Sequence, residues 1–89
     1  MAAWRVEVRV MPRASLLDPQ GQAMEHALHA LGFGDVKQAR VGKHLVLEVE
    51  AATSADAAAR ARSMCDRLLA NPVTEDYQVA VERGGIPKA

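Results

Sequence analysis

The alternation of apolar and charged residues in "WRVEVRV", Trp4–Val10, is the feature that most restricts how this chain can fold. Trp4 and the three valines occupy every second position, with charged residues between them. Because successive side chains of a strand point to opposite faces, this period predicts a half-buried antiparallel β-strand. Pro12 cannot donate a ladder hydrogen bond, so the strand is predicted to end there. The chain must therefore supply neighbouring strands and a layer that covers the apolar face.

A hairpin is predicted over residues 35–51, with its turn at Val41, Gly42 and Lys43. The second arm of the hairpin alternates leucine and valine with more polar residues, which again predicts one buried face. The first arm, Val36–Arg40, is polar and weakly patterned, so we expect it at a sheet edge, where its basic side chains discourage unplanned pairing. The alternation in "DYQVAV", residues 76–81, predicts a further strand.

Two helices are predicted between these strands. The first begins at Asp18, which can cap the free amides of the first turn, and continues with Pro19 at the one helical position that needs no N–H. Apolar residues then recur at spacings of three and four up to Gly32, which favours a helix end. The second helix follows the capping sequence "TSAD", residues 53–56, and is predicted to end before Pro72.

The predicted order of elements is βαββαβ, the split-βαβ or ferredoxin-like order of an α+β fold. We expect two helices on one face of a four-stranded antiparallel sheet, forming a single domain over residues 1–83 with a flexible tail over residues 84–89. The opposite face of the sheet carries both charged and apolar residues, and a chain of 89 residues has a small core. We therefore expect copies of the chain to associate, and an arrangement that shares strands between protomers stays open.

The composition argues against several classes of partner. Eleven basic and eleven acidic residues give a formal net charge of zero, so no long-range field favours nucleic acid or an anionic membrane. The single cysteine, Cys65, excludes an internal disulfide framework. No stretch resembles a signal peptide or approaches the roughly 20 apolar residues of a membrane span. We expect a cytoplasmic protein that binds neither nucleic acid nor membrane.

Residues that could carry chemistry do not form complete motifs. His26 and His29 have a spacing found among metal ligands on a helix, but no third and fourth ligand accompany them. Cys65 lies in the apolar stripe of the second helix and is expected in the core. Gly42 and Lys43 lack the additional glycines and the following helix of a phosphate-binding loop. They indicate a hairpin turn with Gly42 at a positive-φ position, or a contact with another subunit. No catalytic, cofactor-binding or metal-binding residue is predicted.

The first turn of the first helix, "DPQG", contains more than a cap requires. Asp18 and Pro19 account for helix initiation, whereas Gly21 costs about 1 kcal/mol of helix propensity relative to alanine. A glycine is explained there if another backbone or a ligand must approach closely, and Gln20 would offer an amide to it. We expect a docking edge, at which Gly21→Leu leaves the monomer folded and weakens subunit assembly.

Three stretches together, "MPRASLLDPQGQA", "ARVGKHLVLEVEA" and "MCDRLLANPVTEDYQV", closely resemble the small S subunit of phosphoribosylformylglycinamidine synthase, the PurS family. The resemblance runs from about Val6 to Val81 and keeps the order of the family's motifs. Arg13 stands where lysine is common in the family. The helix start, the hairpin and the matched motifs together give these candidates for subunit contacts: Asp18, Gln20, Gly21, Arg40, Gly42, Lys43, Asn71, Asp76 and Tyr77.

The resemblance implies a non-catalytic, cytoplasmic subunit in purine biosynthesis. The family's complex converts formylglycinamide ribonucleotide, ATP and glutamine into formylglycinamidine ribonucleotide, ADP, phosphate and glutamate. A glutaminase subunit releases ammonia, an ATP-dependent synthetase subunit uses it, and the S subunit joins the two and supports ammonia transfer. The implied partners are those two subunits and further copies of the chain, as a homodimer or tetramer. No cofactor is expected on this chain, and ATP and magnesium are expected on the synthetase subunit.

Two other classes of protein remain open from the residues alone. An amino-acid-sensing regulatory module shares the βαββαβ order and would place Gln20 and Gly21 in a ligand pocket. An enzyme of the acylphosphatase type would need Arg13 to cradle a phosphate in the loop after the first strand. Pro12 and the lack of glycines in that loop argue against the enzyme.

Overall fold

The computed structural model describes residues 2–14 and 17–85. The predicted tail is described only at Gly84 and Gly85, residues 86–89 lie outside the described ranges, and the flexibility of the tail stays a prediction. No helix in the described ranges is long and apolar enough to cross a membrane. The elements in chain order are β1 (Ala2–Pro12), α1 (Pro19–Ala30), β2 (Lys43–Ala51), α2 (Ser54–Met64) and β3 (Glu75–Arg83), and a π-helical turn (Cys65–Leu69) extends α2.

The sheet is antiparallel, with β1 in the centre and the order β2-β1-β3. The alternation that predicted β1 is confirmed, because Val6, Val8 and Val10 are fully buried on one face. Helix α2 covers that face and buries small side chains, chiefly Ala57 and Ala61, against the valines. Small residues on the helix and β-branched residues on the strand allow the two layers to approach closely. We call the three strands and α2, with its π-helical turn, the body.

The predicted four-stranded sheet is not present in the described chain, which forms three strands. The segment Val36–Arg40, predicted as the edge strand, adopts no regular structure. It returns alongside α1 instead, with His29 Nε2 2.7 Å from the carbonyl oxygen of Val36 and with Gly21 lying against Ala39. Its polar sequence supplies no buried face that would hold it to the sheet, so local contacts with α1 determine its path.

The predicted packing of both helices on the sheet is correct only for α2. Helix α1 buries a single residue, Gly21, and has no substantial packing contact with the sheet or with α2 in the described ranges. The radius of gyration is 16.5 Å, whereas a compact chain of this length has about 12 Å. We call α1 with its return segment, residues 18–42, the arm, because it projects from the body.

Candidate subunit-contact surface

All nine predicted contact residues lie at one end of the molecule. In an antiparallel sheet the end of β1 lies beside the starts of β2 and β3, so the three connections of the chain meet there. We call this end the junction and define it as residues 11–13, 17–21, 39–43 and 70–77. The structure thus brings together the helix start, the segment before β2 and the loop before β3, which are far apart in the sequence.

Asp18 fastens the arm at the junction. Its Oδ1 accepts a hydrogen bond from the amide of Gly21 at 3.0 Å, which is the predicted N-cap. Its Oδ2 accepts a second hydrogen bond from the amide of Val41 at 2.9 Å, across 23 residues of sequence. These two amides, Gly21 first, hold the pKa of the Asp18 carboxyl below its ordinary value, and Arg40 adds to the effect. One carboxylate therefore caps α1 and anchors the return segment.

Gly21 is buried by its own chain. A β-carbon at this position would collide with the carbonyl oxygen of Ala39 and would lie 2.9 Å from Cα of Arg40. The close backbone approach that the glycine permits is therefore intramolecular, where we expected the backbone of another subunit. The face of Gly21 that would contact a ligand in an amino-acid-sensing module is occupied by the same return segment. Gln20 is exposed, and a contact through it stays a prediction.

Gly42 and Lys43 connect the arm to the body. Gly42 is not at the positive-φ position of a hairpin turn, since its φ is outside the left-handed region. A β-carbon there would collide with the side chain of Met11 and the carbonyl oxygen of Val10, so glycine is required by close contact with β1. Lys43 begins β2 opposite Val10, and its Nζ donates to the carbonyl oxygen of Leu69 at 3.2 Å. The π-helical turn at the end of α2 is thereby tied to the junction.

The loop before β3 is held by side chains on both sides. The amide of Asn71 donates to Glu75 Oε1 at 2.7 Å, and Oδ1 of Asn71 accepts from the amide of Val73 at 3.0 Å. Arg13 Nη2 donates to the carbonyl oxygen of Pro72 at 2.6 Å, and its Nε lies 3.5 Å from Asp76 Oδ1. Arg13 is not among the residues that the sequence predicts for subunit contacts. The polar cluster around the loop shows that Arg13 positions it.

Tyr77 links β3 to the helical layer. Its hydroxyl donates to Asp66 Oδ1 at 3.1 Å. Partial burial first, and then this hydrogen bond to a carboxylate, raise the pKa of the Tyr77 hydroxyl. The polar contacts at the junction are therefore structural, because each of these groups fixes a connection within the chain.

Exposed apolar side chains are concentrated on the arm and near the junction. On the arm, Met24 is 56% exposed, Leu31 74% and Phe33 53%. Single exposed apolar residues are normal on a protein surface, whereas several close together mark a contact site. Near the junction, Leu17 is 72% exposed and Val73 73%. These side chains fit a surface for protein contacts.

The described residues contain no group of three or more histidine, cysteine or acidic side chains that could hold a metal ion. Cys65 is fully buried in the core, and burial first, followed by the negative charge of Asp66, raises the pKa of its thiol. A thiol that is both inaccessible and held in its protonated form is unsuited to act as a nucleophile.

Comparison with known proteins gives the same assignment throughout. Residues 5–83 match the family model PurS, described as phosphoribosylformylglycinamidine (FGAM) synthase. The phosphoribosylformylglycinamidine synthase subunit PurS of Bacillus subtilis is 42% identical over 79 residues, which cover 89% of this chain and 93% of that protein. The subunit of the same name from Synechocystis is 41% identical and covers 84% of this chain and 75% of that protein.

Solved structures agree with the fold. A crystal structure of Bacillus subtilis PurS matches with a TM-score of 0.80 at 41% identity, covering 89% of this chain and 98% of that one. A chain of the PurLQS structure from Thermotoga maritima matches with a TM-score of 0.84 at 34% identity, covering 92% of this chain and all of that one. From the family model, the identity of its relatives and the shared fold, we conclude that the chain belongs to the PurS family of phosphoribosylformylglycinamidine (FGAM) synthase.

Proposed function

We propose that this chain is the non-catalytic bridging subunit of an FGAM synthase complex in purine biosynthesis, joining a glutaminase subunit to a synthetase subunit in the cytoplasm. ATP and magnesium would bind to the synthetase subunit. Ammonia released by the glutaminase would pass to the synthetase along a path from which this chain helps to exclude water. The relatives are subunits of that synthase, and one matching structure is described as PurLQS.

The observation that carries this proposal is the excess of exposed surface. The chain exposes 6480 Å², whereas a compact monomer of 9.6 kDa exposes about 5,100 Å². The difference exceeds the roughly 800 Å² that one partner buries in an interface of standard size. A chain with this much surplus surface and an unpacked apolar arm is suited to assembly.

The arm fits a second copy of the chain. Among the described residues only α2 covers the apolar face of the sheet, and Leu45 and Leu47 on β2 are left half-buried. Arg62 lies beside β3, so helical spacing places the opposite side of α2 toward β2. That side forms a groove lined by Arg60, Ser63, Met64, Arg67 and Leu68. The groove lies where the ferredoxin-like order would place the first helix.

We infer a homodimer in which each arm lies on the other copy's body. The apolar stripe of α1, with Met24 and Leu31, would cover the half-buried leucines of β2, and Glu25, the only acid in α1, would approach the arginines of the groove. The return segment Val36–Arg40 of each copy would run beside the open edge of the other copy's β2. This exchange would supply the fourth strand as one shared between protomers.

Two measurements test the proposal. Omission of this chain from a mixture with the glutaminase and synthetase chains is expected to abolish glutamine-dependent turnover and to preserve ammonia-dependent turnover. Unchanged glutamine-dependent turnover would refute a bridging role.

Leu31→Glu, on the apolar stripe, is expected to weaken dimerisation at least tenfold, because it puts a charge into the interface. His26→Glu adds the same charge on the opposite face of α1 and serves as the matched control in sedimentation analysis.

A further inference from the structure

The junction carries a groove whose residues take no part in the proposed arm exchange. The groove lies between the end of β1, the start of α1 and the loop before β3, and its volume is about 470 Å³. Its apolar lining consists of Pro12, Leu17 and Pro19. Leu17 is 72% exposed, and Val73, next along the chain to the lining residue Thr74, is 73% exposed. Two exposed apolar side chains and two prolines at one place form a surface that a protein partner can cover.

The loop on one side of the groove is fixed by its own hydrogen bonds. The amides of Thr74 and Glu75 both donate to the carbonyl oxygen of Asn71, at 3.2 and 2.8 Å. The carbonyl oxygen of Thr74 accepts from the amide of Arg13 at 2.9 Å, which joins the loop to the end of β1. Together with the bonds of the Asn71 and Val73 amides, every amide N–H from residue 71 to residue 75 donates within the chain. A partner therefore meets side chains on a surface that is already ordered, and binding there costs little conformational entropy.

The rim of the groove is acidic. Asp18 and Glu75 are among the lining residues, and no lysine or arginine of the described chain is. Both carboxylates accept from backbone amides, at 2.7 to 3.0 Å, and these neutral donors leave the negative charges in place. The side chain of Asp76, the residue after Glu75, is 74% exposed. Because the whole chain has zero net charge, this local charge acts on a cation at short range only.

We propose that the groove docks a segment of a partner subunit of the synthase, in which an apolar side chain is next to a lysine or an arginine. This inference rests on the proposed bridging function and adds to it the surface that holds the partner. The apolar side chain would fill the space between Leu17 and the prolines, and the basic side chain would approach Glu75. An apolar, rigid centre with charged groups at its rim is the usual anatomy of a protein interface.

The apolar residues on the arm of a second copy fit this groove poorly. Met24 is followed by Glu25, the only acid in α1, and Phe33 lies two residues before Asp35. Either segment would bring a carboxylate to a rim that already carries two. Juxtaposed like charges disfavour a contact, so the groove selects against the arm and in favour of a basic partner.

A charge placed beside the groove tests the contact. Val73→Arg keeps the amide that donates to Asn71 and puts a cation where the basic partner segment would lie. In a mixture with the glutaminase and synthetase chains, we expect the concentration of this chain that gives half-maximal glutamine-dependent turnover to rise about tenfold. Val46→Arg makes the same change on the face of the sheet opposite α2 and should keep the parent value. A parent value for Val73→Arg would overturn the proposal.

The same variants exclude an effect through self-association. Sedimentation equilibrium of the isolated chain should give the parent mass for Val73→Arg and for Val46→Arg. A lower mass for Val73→Arg would assign the loss of turnover to contacts between copies and would contradict the proposal.

Site-directed crosslinking identifies the occupant. Val73→Cys can be labelled with a thiol-reactive benzophenone, since Cys65 is fully buried. After irradiation of the assembled complex, we expect an adduct between this chain and the glutaminase or the synthetase, and no such adduct from Val46→Cys. An adduct with a second copy alone, or no adduct at all, would overturn the proposal.

Salt dependence tests the acidic rim. Glu75→Gln removes the charge and keeps an oxygen that can accept from the amide of Asn71. We expect its half-maximal concentration at low salt to rise about threefold, with a weaker dependence on salt than the parent shows. Glu50→Gln, near the opposite end of β2, should behave as the parent. An unchanged salt dependence in Glu75→Gln would contradict recognition of a basic segment.

Omission of the chain separates this inference from the bridging function. Turnover that is lost on omission, but is at the parent level in every groove variant, would reject the groove and keep the bridging role. Turnover that persists without the chain would refute the bridging role itself.

Discussion

The body and the arm differ in where their apolar side chains go. In the body, alternate residues of β1 are fully buried under α2, and the sequence period matches the structure residue by residue. In the arm, the helical period is equally regular, but Met24 and Leu31 remain exposed. The difference shows that amphipathic patterning identifies the apolar face of an element and does not determine what covers that face.

The largest expected difference between the two regions is in stability. Val8→Asp places an unpaired carboxylate in the fully buried centre of the body, and we expect it to lower the free energy of unfolding by about 4 kcal/mol or more. Leu31→Glu, on the arm, is expected to preserve the circular dichroism spectrum of the body while it weakens association. Urea unfolding of both variants checks the comparison. Unfolding of the body by Leu31→Glu would show that the arm is not independent of it.

A smaller effect is expected where the arm is fastened. Gly21→Ala would normally stabilise a helix by about 1 kcal/mol, but here the added carbon meets Ala39 and Arg40, and we expect a net loss of about 1 kcal/mol. Amide hydrogen exchange over residues 19–30 measures this loss. Gln22→Ala, one residue along on an exposed position, should show no loss. Slower exchange in Gly21→Ala would mean that the return segment does not pack on the helix start.

The smallest effect is expected from the pH dependence of the two hydrogen bonds that Asp18 accepts from the amides of Gly21 and Val41. Because the folded-state pKa of Asp18 lies below its ordinary value of 3.8, its contribution to stability is present above pH 3.8 and is lost as the pH falls through the lowered value. Protection of the Val41 amide should therefore decrease on acidification below about pH 4. Asp18→Asn should weaken the protection of the Val41 amide at neutral pH and abolish its decrease on acidification. Asp35→Asn, elsewhere on the arm, should retain the decrease. A decrease of the same size in Asp18→Asn would assign the pH dependence to another group.

Sequence reasoning succeeded where the evidence was local. The alternation from Trp4 to Val10, the cap at Asp18 and the breaks near Gly32 and Pro72 correspond to elements in the structure, because periodicity and capping depend on neighbours in the chain. The family assignment also came from the sequence, through motifs whose order is specific even though each is short.

Sequence reasoning failed where contacts between residues far apart in the chain determine the local structure. Val36–Arg40 was predicted as a strand because a polar extended segment before Gly42 is typical of a hairpin, and its return along α1 depends on Asp18, which lies 23 residues before Val41. Gly21 was correctly singled out as a site of close approach, but the sequence did not show that the approaching backbone is residues 39–40 of the same chain. Arg13, whose contacts are with Pro72 and Asp76, could have been identified only from the pairing of β1 with β3.

The thinness of the molecule has a thermodynamic consequence. At 51 × 33 × 16 Å, the chain is about one helix and one sheet thick, so unfolding a single copy exposes little apolar surface and gives a small denaturant slope and heat-capacity change. The proposed arm exchange would add buried surface that exists only in the assembled state. We therefore expect the melting temperature of this chain to rise with protein concentration.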